Sequence, residues 1–473
     1  MLFNSIEFLI FFPVVTLLFY LLPHKFRWIL LLGASCFFYM WFIPKYILIL
    51  LITIVIDYSA GILIFKWKDS PSKKKTCLVI SIISTCAVLF IFKYLNFVSA
   101  NLVALAQHFG WEHPQQVLHI ALPIGLSFHT FQSLSYVIEV YRGKQNAERH
   151  FGYYALYVMF YPQLVTGPIE RPQNLLTQLH REKKLQYNNI ANGLRLIQFG
   201  LFLKMVVADN LGAYVDQIYE DPHAYSSADI LLGMLFYSFQ IYGDFFGYSS
   251  IALGCALTMG YTLIDNFRTP YLSDSIQEFW RRWHISLSTW FRDYLYIPLG
   301  GNRVPIPRWV LNTLIVFTVC GIWHGANWTF MIWGFAYGVL LCLERPLRNL
   351  HISDRINSRV GKVLLKTLNI LKTFIIVTLL WSVFRAPSFD SLHQLFSALY
   401  HNLTLPMQLQ ISTIAWIALG AFVLLDLLIR NSRFDVWCSQ KSGFVRWLIY
   451  AFLIFGIIVF SSVQQYPFIY FQF

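Results

Sequence analysis

Charge is what this 473-residue chain has least of: Asp, Glu, Lys and Arg make up 12% of it, against about 25% in soluble proteins. With 57% hydrophobic and 18% aromatic residues and a mean hydropathy of +0.55, the composition excludes an ordinary water-soluble domain. The seven cysteines show no CxxC spacing, so neither structural disulfides nor a metal site is expected. HEXXH, Walker A, GxGxxG and GxSxG patterns are absent, which removes the usual support for metal hydrolysis, nucleotide chemistry and a serine nucleophile. No internal repeat, linker or low-complexity run is visible, which counts against an inverted-repeat transporter. The opening MLFNSIEFLIFFPVVTLLFYLL carries Glu7 in place of a basic n-region and has no A-x-A-like site after it. It is expected to be a retained first span.

What the chain has is apolar runs, of roughly 18 residues or more, from end to end. Nothing alternates as barrel strands do, and lipid then leaves helices as the elements that satisfy their own backbone. The reading is an all-α polytopic membrane protein, one domain over residues 1–473, with about 11–13 membrane segments that include re-entrant and interfacial helices. The formal charge of +13 does not call for nucleic acid, because Lys and Arg fall in short loops as the positive-inside bias predicts. Such loops are HKFR (His24–Arg27), KWKDSPSKKK (Lys66–Lys75), YRGKQNAER (Tyr141–Arg149) and the stretch from Arg345 to Lys362.

Taking these loops as cytoplasmic puts both termini on the outer face. Ser99–Leu118, without Lys or Arg, and an acidic loop with Asp216, Glu220, Asp221 and Asp229 fall there too. Phe151–Val165 has basic segments on both sides, so it is expected to be re-entrant, interrupted by TGPIERP (Thr166–Pro172). Ile230–Met259 is expected to be interrupted by GDFFGYSS (Gly243–Ser250). Asp57, His129, Gln132, Gln163, Gln240 and Asp244 sit inside apolar runs, where interhelical hydrogen bonding is the expected role; His129 also suits the lining of a channel.

Polar residues in lipid cost free energy, and they concentrate between Tyr271 and Arg345. Read as one helix, Gln277–Tyr294 places Phe279, Trp283, Leu287, Trp290 and Tyr294 in one stripe. Arg281, Ser288 and Arg292 lie opposite, Glu278 and Arg282 flank, and His284 falls near the border; Ile285 alone breaks the polar face. This is the pattern of a basic amphipathic helix in the interface. The same pattern serves to anchor the protein to anionic lipid, or to hold the phosphates of a soluble donor such as coenzyme A on Arg281, Arg282 and Arg292. IPLGGNR (Ile297–Arg303) adds a backbone turn beside these arginines.

His324 stands between two short apolar passes, flanked by Gly321 and Gly325, with Asn327 nearby and Trp323 and Trp328 as aromatic walls. A lone histidine of this kind often just bonds a neighbouring helix. Apolar surroundings, however, favour the neutral imidazole, the form that takes a proton from an attacking hydroxyl.

FWRRWHISLSTWFRDYLYIPLGGNR (Phe279–Arg303) and GIWHGANWTFMIWG (Gly321–Gly334) resemble the membrane-bound O-acyltransferase family, in its bacterial branch of alginate O-acetyltransferase membrane subunits. SFHTFQSLSYVIEVYRG (Ser127–Gly143), YPQLVTGPIERP (Tyr161–Pro172) and WSVFRAP (Trp381–Pro387) support the match in chain order. The resemblance implies that His324 is the catalytic histidine and His284 a second active-site histidine; Arg281, Arg282, Arg292, Trp323 and Asn327 are the residues expected to bind substrate. It implies a buried central tunnel from cytoplasmic acetyl-CoA, a substrate and not a resident cofactor, to an acceptor outside. In this branch an extracytoplasmic GDSL-type acetyltransferase takes the acetyl group and passes it to a cell-envelope glycan, so the implied location is the bacterial inner membrane. His129 stands where the resemblance leads one to expect an aromatic hydroxyl, so no role is carried to it. The competing readings are acyl transfer to peptidoglycan, to a secondary cell-wall polymer or, as D-alanine, to teichoic acid. From another class, the rival is a transporter with a histidine proton relay.

Overall fold

In a computed structural model the structure is described for residues 1–111, 123–165, 167–348, 358–430, 432–462 and 466–471, with the backbone alone at 348 and 471. The described residues form helices and turns, with no strand among them. Among the described residues eight helices are long and apolar enough to cross a membrane, and two shorter apolar ones, Ile6–Leu21 and Thr413–Leu428, accompany them. The chain is a multi-pass membrane protein. It divides into two compact units, residues 1–194 with 251–264 and residues 195–250 with 265–473.

In the first unit, Ile47–Lys66, Pro71–Lys93 and Leu126–Tyr141 pack together around the fully buried Asp57. Its carboxylate accepts hydroxyls from Ser81 at 2.5 Å, Thr85 at 2.9 Å and Ser133. Nearby, His129 Nε2 meets the Thr53 hydroxyl at 2.5 Å, while Gln132 and Gln163 donate to the Tyr157 carbonyl at 2.5 and 3.0 Å. These groups hold helices together, the common use of polar residues in lipid. Phe151–Met159 and Tyr161–Leu164 form a broken pair. At 1.5 Å per residue nine residues reach about 14 Å, too short to cross a 30 Å core. Tyr154 to Tyr161 are nonetheless almost wholly buried, as a re-entrant segment requires.

Into the stretch Ser99–Leu118 a helix runs from Leu95 to His108; residues 112–118 of that stretch lie outside the described residues, as do Thr166 and, within the basic stretch 345–362, residues 349–357 with Arg355. Two expectations need correction. The acidic loop begins later than read, since the helical run Tyr187–Glu220 carries Asp216 on its last turns. Gly243–Ser250 does not interrupt its span: Ser227–Thr258 is one continuous helix. A Cβ at Gly247 would stand 2.8 Å from the Gly200 carbonyl and 3.2 Å from the Lys204 nitrogen. Its glycine therefore serves close backbone approach between helices, at the place where Leu203–Ala208 widens into a π-turn.

The second unit is organised by the hairpin of Ile306–His324 and Trp328–Arg348, which pack along their length. Gly321 and Gly334 bring the two backbones into contact: a Cβ on either would fall 2.2 Å from a carbonyl oxygen of the other helix, Phe330 or Phe317. Glu344 of this hairpin accepts from the backbone N–H groups of Ile276 and Gln277 at 3.2 and 3.0 Å. A carboxylate there satisfies two orphan donors and complements the helix dipole, so the hairpin fixes the start of the helix Ile276–Arg282, which precedes it in the chain.

Candidate active site

Gln277–Tyr294 is not one amphipathic helix. Ser275 caps Ile276–Arg282 by accepting from the Glu278 N–H, Trp283 is extended, and His284 turns left-handed at φ 43°, ψ 55° before a second helix, Ile285–Phe291. Histidine enters this region more readily than most side chains, but such a conformation costs about 1–3 kcal/mol and persists only when neighbours impose it. The imposing residue is Asn266. Its backbone carbonyl accepts from the Ile285 N–H at 3.0 Å, and its side-chain oxygen accepts from the Ser286 N–H at 3.2 Å and the Ser286 hydroxyl at 2.6 Å. One turn along, the Arg268 N–H donates to the Arg282 carbonyl at 3.0 Å, and Thr269 is the other non-glycine residue with positive φ among the described residues.

The break delivers His284 away from the polar face, to a position 0% exposed. The edge of its ring meets Phe245 at 4.6 Å between centroids, with Trp323 at 6.3 Å and Tyr470 at 6.2 Å. His324, at the last turn of its helix and 3% exposed, contacts Trp323 at 5.0 Å, Trp333 at 5.2 Å, Phe384 at 5.3 Å and Tyr470 at 5.6 Å. The two imidazoles, forty residues apart in sequence, thus share Trp323 and Tyr470 as neighbours. Aromatic edges and faces pack tightly around them: Trp283, Trp333 and Trp381 are nearly solvent-free, and Trp381 lies 4.9 Å from Trp283 and 5.7 Å from Trp333. Water is largely excluded, which strengthens any electrostatic interaction made inside.

The other predicted site residues have more ordinary surroundings. Arg282 pairs with Glu278 and donates to the Thr269 hydroxyl at 3.3 Å. Arg292 pairs with its neighbour Asp293 at 2.8 Å, and Arg281 is exposed. Asn327 donates to the Pro387 carbonyl at 2.6 Å and accepts from the Thr329 N–H at 3.1 Å, so it fixes the turn that follows His324. The glycine turn is present, with φ 108° at Gly300 and 56° at Gly301. Asn266, Phe245, Phe384 and Tyr470 escaped the sequence reading of the site. Ile285, the misfit on the single-helix wheel, was the available signal: it is the first residue of the second helix.

Burial lowers the His284 pKa to about 3, so the imidazole is neutral at physiological pH and its nitrogens accept or donate a hydrogen bond according to tautomer. Burial also pushes the Tyr470 phenol well above its ordinary value, leaving an O–H donor. The sign of the histidine linkage follows. The folded state holds the proton less tightly than the unfolded one, so stability is lost as pH falls from about 6.5 toward 3, by up to about 1.4 kcal/mol per pH unit. Thermal midpoints of the detergent-purified protein should therefore fall on acidification through this window, and His284→Gln should flatten the slope. An unchanged slope in that variant would contradict a buried neutral His284.

The sequence profile of the membrane-bound O-acyltransferase family matches residues 150–351, a stretch that holds both histidines. A protein from Azotobacter vinelandii, named probable alginate O-acetylase AlgI, is 38% identical over 404 residues, covering 85% of this chain and 78% of its own length. The peptidoglycan O-acetyltransferase of Helicobacter pylori is 35% identical over 390 residues, 77% of this chain and 71% of that protein. The teichoic acid D-alanyltransferase of Bacillus subtilis is 28% identical over 231 residues, 46% of this chain and 58% of that protein.

Proposed function

Because the chain belongs to the membrane-bound O-acyltransferase family, we propose that it moves an acetyl group from cytoplasmic acetyl-CoA across the membrane toward a cell-envelope polysaccharide. The observation that carries this reading is the pair of imidazoles in one dry aromatic shell. In the proposed reaction His324 takes the proton of an acceptor hydroxyl. The oxygen attacks the thioester carbonyl, the C–S bond breaks, and the coenzyme A thiolate leaves and is reprotonated by the imidazolium. His284, neutral, hydrogen-bonds and orients the reacting groups. Such proton transfer is worth about 10²–10⁴-fold in rate.

Arg281, with Arg282 and Arg292, takes the donor phosphates from the cytoplasmic face; Trp323 walls the acyl path, and Asn327 holds the turn that aims His324. The relatives named for alginate, peptidoglycan and teichoic acid support an acceptor in the envelope, received through a GDSL-type extracytoplasmic partner. The protein then sits in the inner membrane with both termini outside. The test is turnover by the full chain in lipid nanodiscs. With acetyl-CoA and partner or glycan, free thiol and an O-acetyl ester should appear in equal amounts. Proton-coupled solute flux without ester would favour the transporter, and preference for a D-alanyl thioester would move the donor to that class.

A further inference from the structure

The last helix, Gly443–Phe460, ends near the π-turn of Tyr187–Glu220, and the chain beyond it is tied down at three points. Asn210 donates to the Phe460 carbonyl at 2.8 Å, the Ser462 N–H donates to the Met205 carbonyl at 3.2 Å, and the Ile469 N–H donates to Asp244 at 2.7 Å. Met205 lies within Leu203–Ala208, and π-turns of this kind gather at functional places. The third tie is unusual in its support. Asp244 is buried and ion-paired to Lys204 at 2.9 Å, and Lys204 also pairs with Asp209 at 2.8 Å. Lys204 and Asp244 are 1% and 3% exposed, and Asp209 3%. Placing three charged groups in a membrane helix pair is costly, and none of them belongs to the imidazole shell. Through Asp244 they hold one backbone amide, that of Ile469. The next residue, Tyr470, lies against both histidines, with Phe468 stacked on it at 5.4 Å and Phe245 at 4.7 Å.

We propose that Asp244, held by Lys204 and Asp209, is a positioning residue for the acyl-transfer reaction: it locks the C-terminal segment so that Tyr470 stands between His284 and His324. The inference rests on the proposed acyl transfer for its functional half. The tie next to Tyr470 is one hydrogen bond, from the Ile469 N–H to Asp244, so its two ends are independent handles. Asp244→Ala removes the acceptor, and Ile469→Pro removes the N–H while leaving the ion cluster whole.

The experiment measures hydrogen exchange of the C-terminal peptide and steady-state turnover of the full chain in nanodiscs. Both variants should lose exchange protection at the Ile469 amide region, lower kcat about tenfold or more, and leave KM for acetyl-CoA within about twofold. The double variant should be no worse than the poorer single one. If Asp244→Ala fails to fold, Ile469→Pro carries the test alone. Retained protection, or lost protection with unchanged kcat, overturns the proposal. An inactive wild-type protein would instead defeat the acyl-transfer reading, and the exchange data would still report whether the lock exists.

Discussion

His324→Gln is expected to reduce acetyl transfer by about 10²–10⁴-fold, a barrier increase of about 3–5 kcal/mol, while the protein folds and inserts normally. The expectation has two parts. An amide replaces the imidazole in shape but cannot accept the acceptor's proton at physiological pH. The ring's contacts are with Trp323, Trp333, Phe384 and Tyr470, and losing edge contacts of this kind costs only about 0.5–1.5 kcal/mol each. The catalytic loss should therefore appear in kcat, with KM for acetyl-CoA close to that of the wild-type protein, while the thermal midpoint falls because the four ring contacts are weakened together. Turnover within a few-fold of the wild type would remove His324 from the chemistry.

Gly334→Val should damage the scaffold severely. A Cβ there falls 2.2 Å from the Phe317 carbonyl oxygen and 2.9 Å from the Gly321 nitrogen, so backbone must move away from backbone and no flexible side chain can yield. Overpacking of this kind costs about 3 kcal/mol. It opens the hairpin whose first helix ends on His324 and whose Glu344 caps the start of the neighbouring helix at Ile276. Yield of folded protein and turnover should fall together. Gly420→Ala, at a helical position with nothing within 4 Å, is the matched control and should leave both unchanged. Equal tolerance at the two positions would show that the hairpin does not depend on the glycine contact.

The parts legible in the sequence are those set by local composition. Apolar length located the spans, the conflict of basic flanks marked Phe151–Val165, and polar residues such as Asp57 and Gln132 found partners across helices. Glycine was ambiguous: the same residue type that opens a helix also lets two helices touch, and Gly247 does the second. The break at His284 was hidden because no local breaker causes it. Asn266, eighteen residues upstream, holds the left-handed turn by tertiary hydrogen bonds, which override the helical preference of WRRWHISL. Tyr470 was hidden for a related reason, since an uncharged tail carries no signal of where it folds back. Its place depends on Asp244 and Lys204, over two hundred residues away.

Passage of the acyl group across the membrane through chemistry at the paired histidines can be measured in sealed inside-out vesicles. Labelled acetyl-CoA is supplied outside, with acceptor glycan and partner protein enclosed, and glycan-bound label in the lumen is counted. Ester-linked label is expected with the wild-type chain, and background with His324→Gln at equal protein content. Equal luminal ester with both chains would contradict this role of His324.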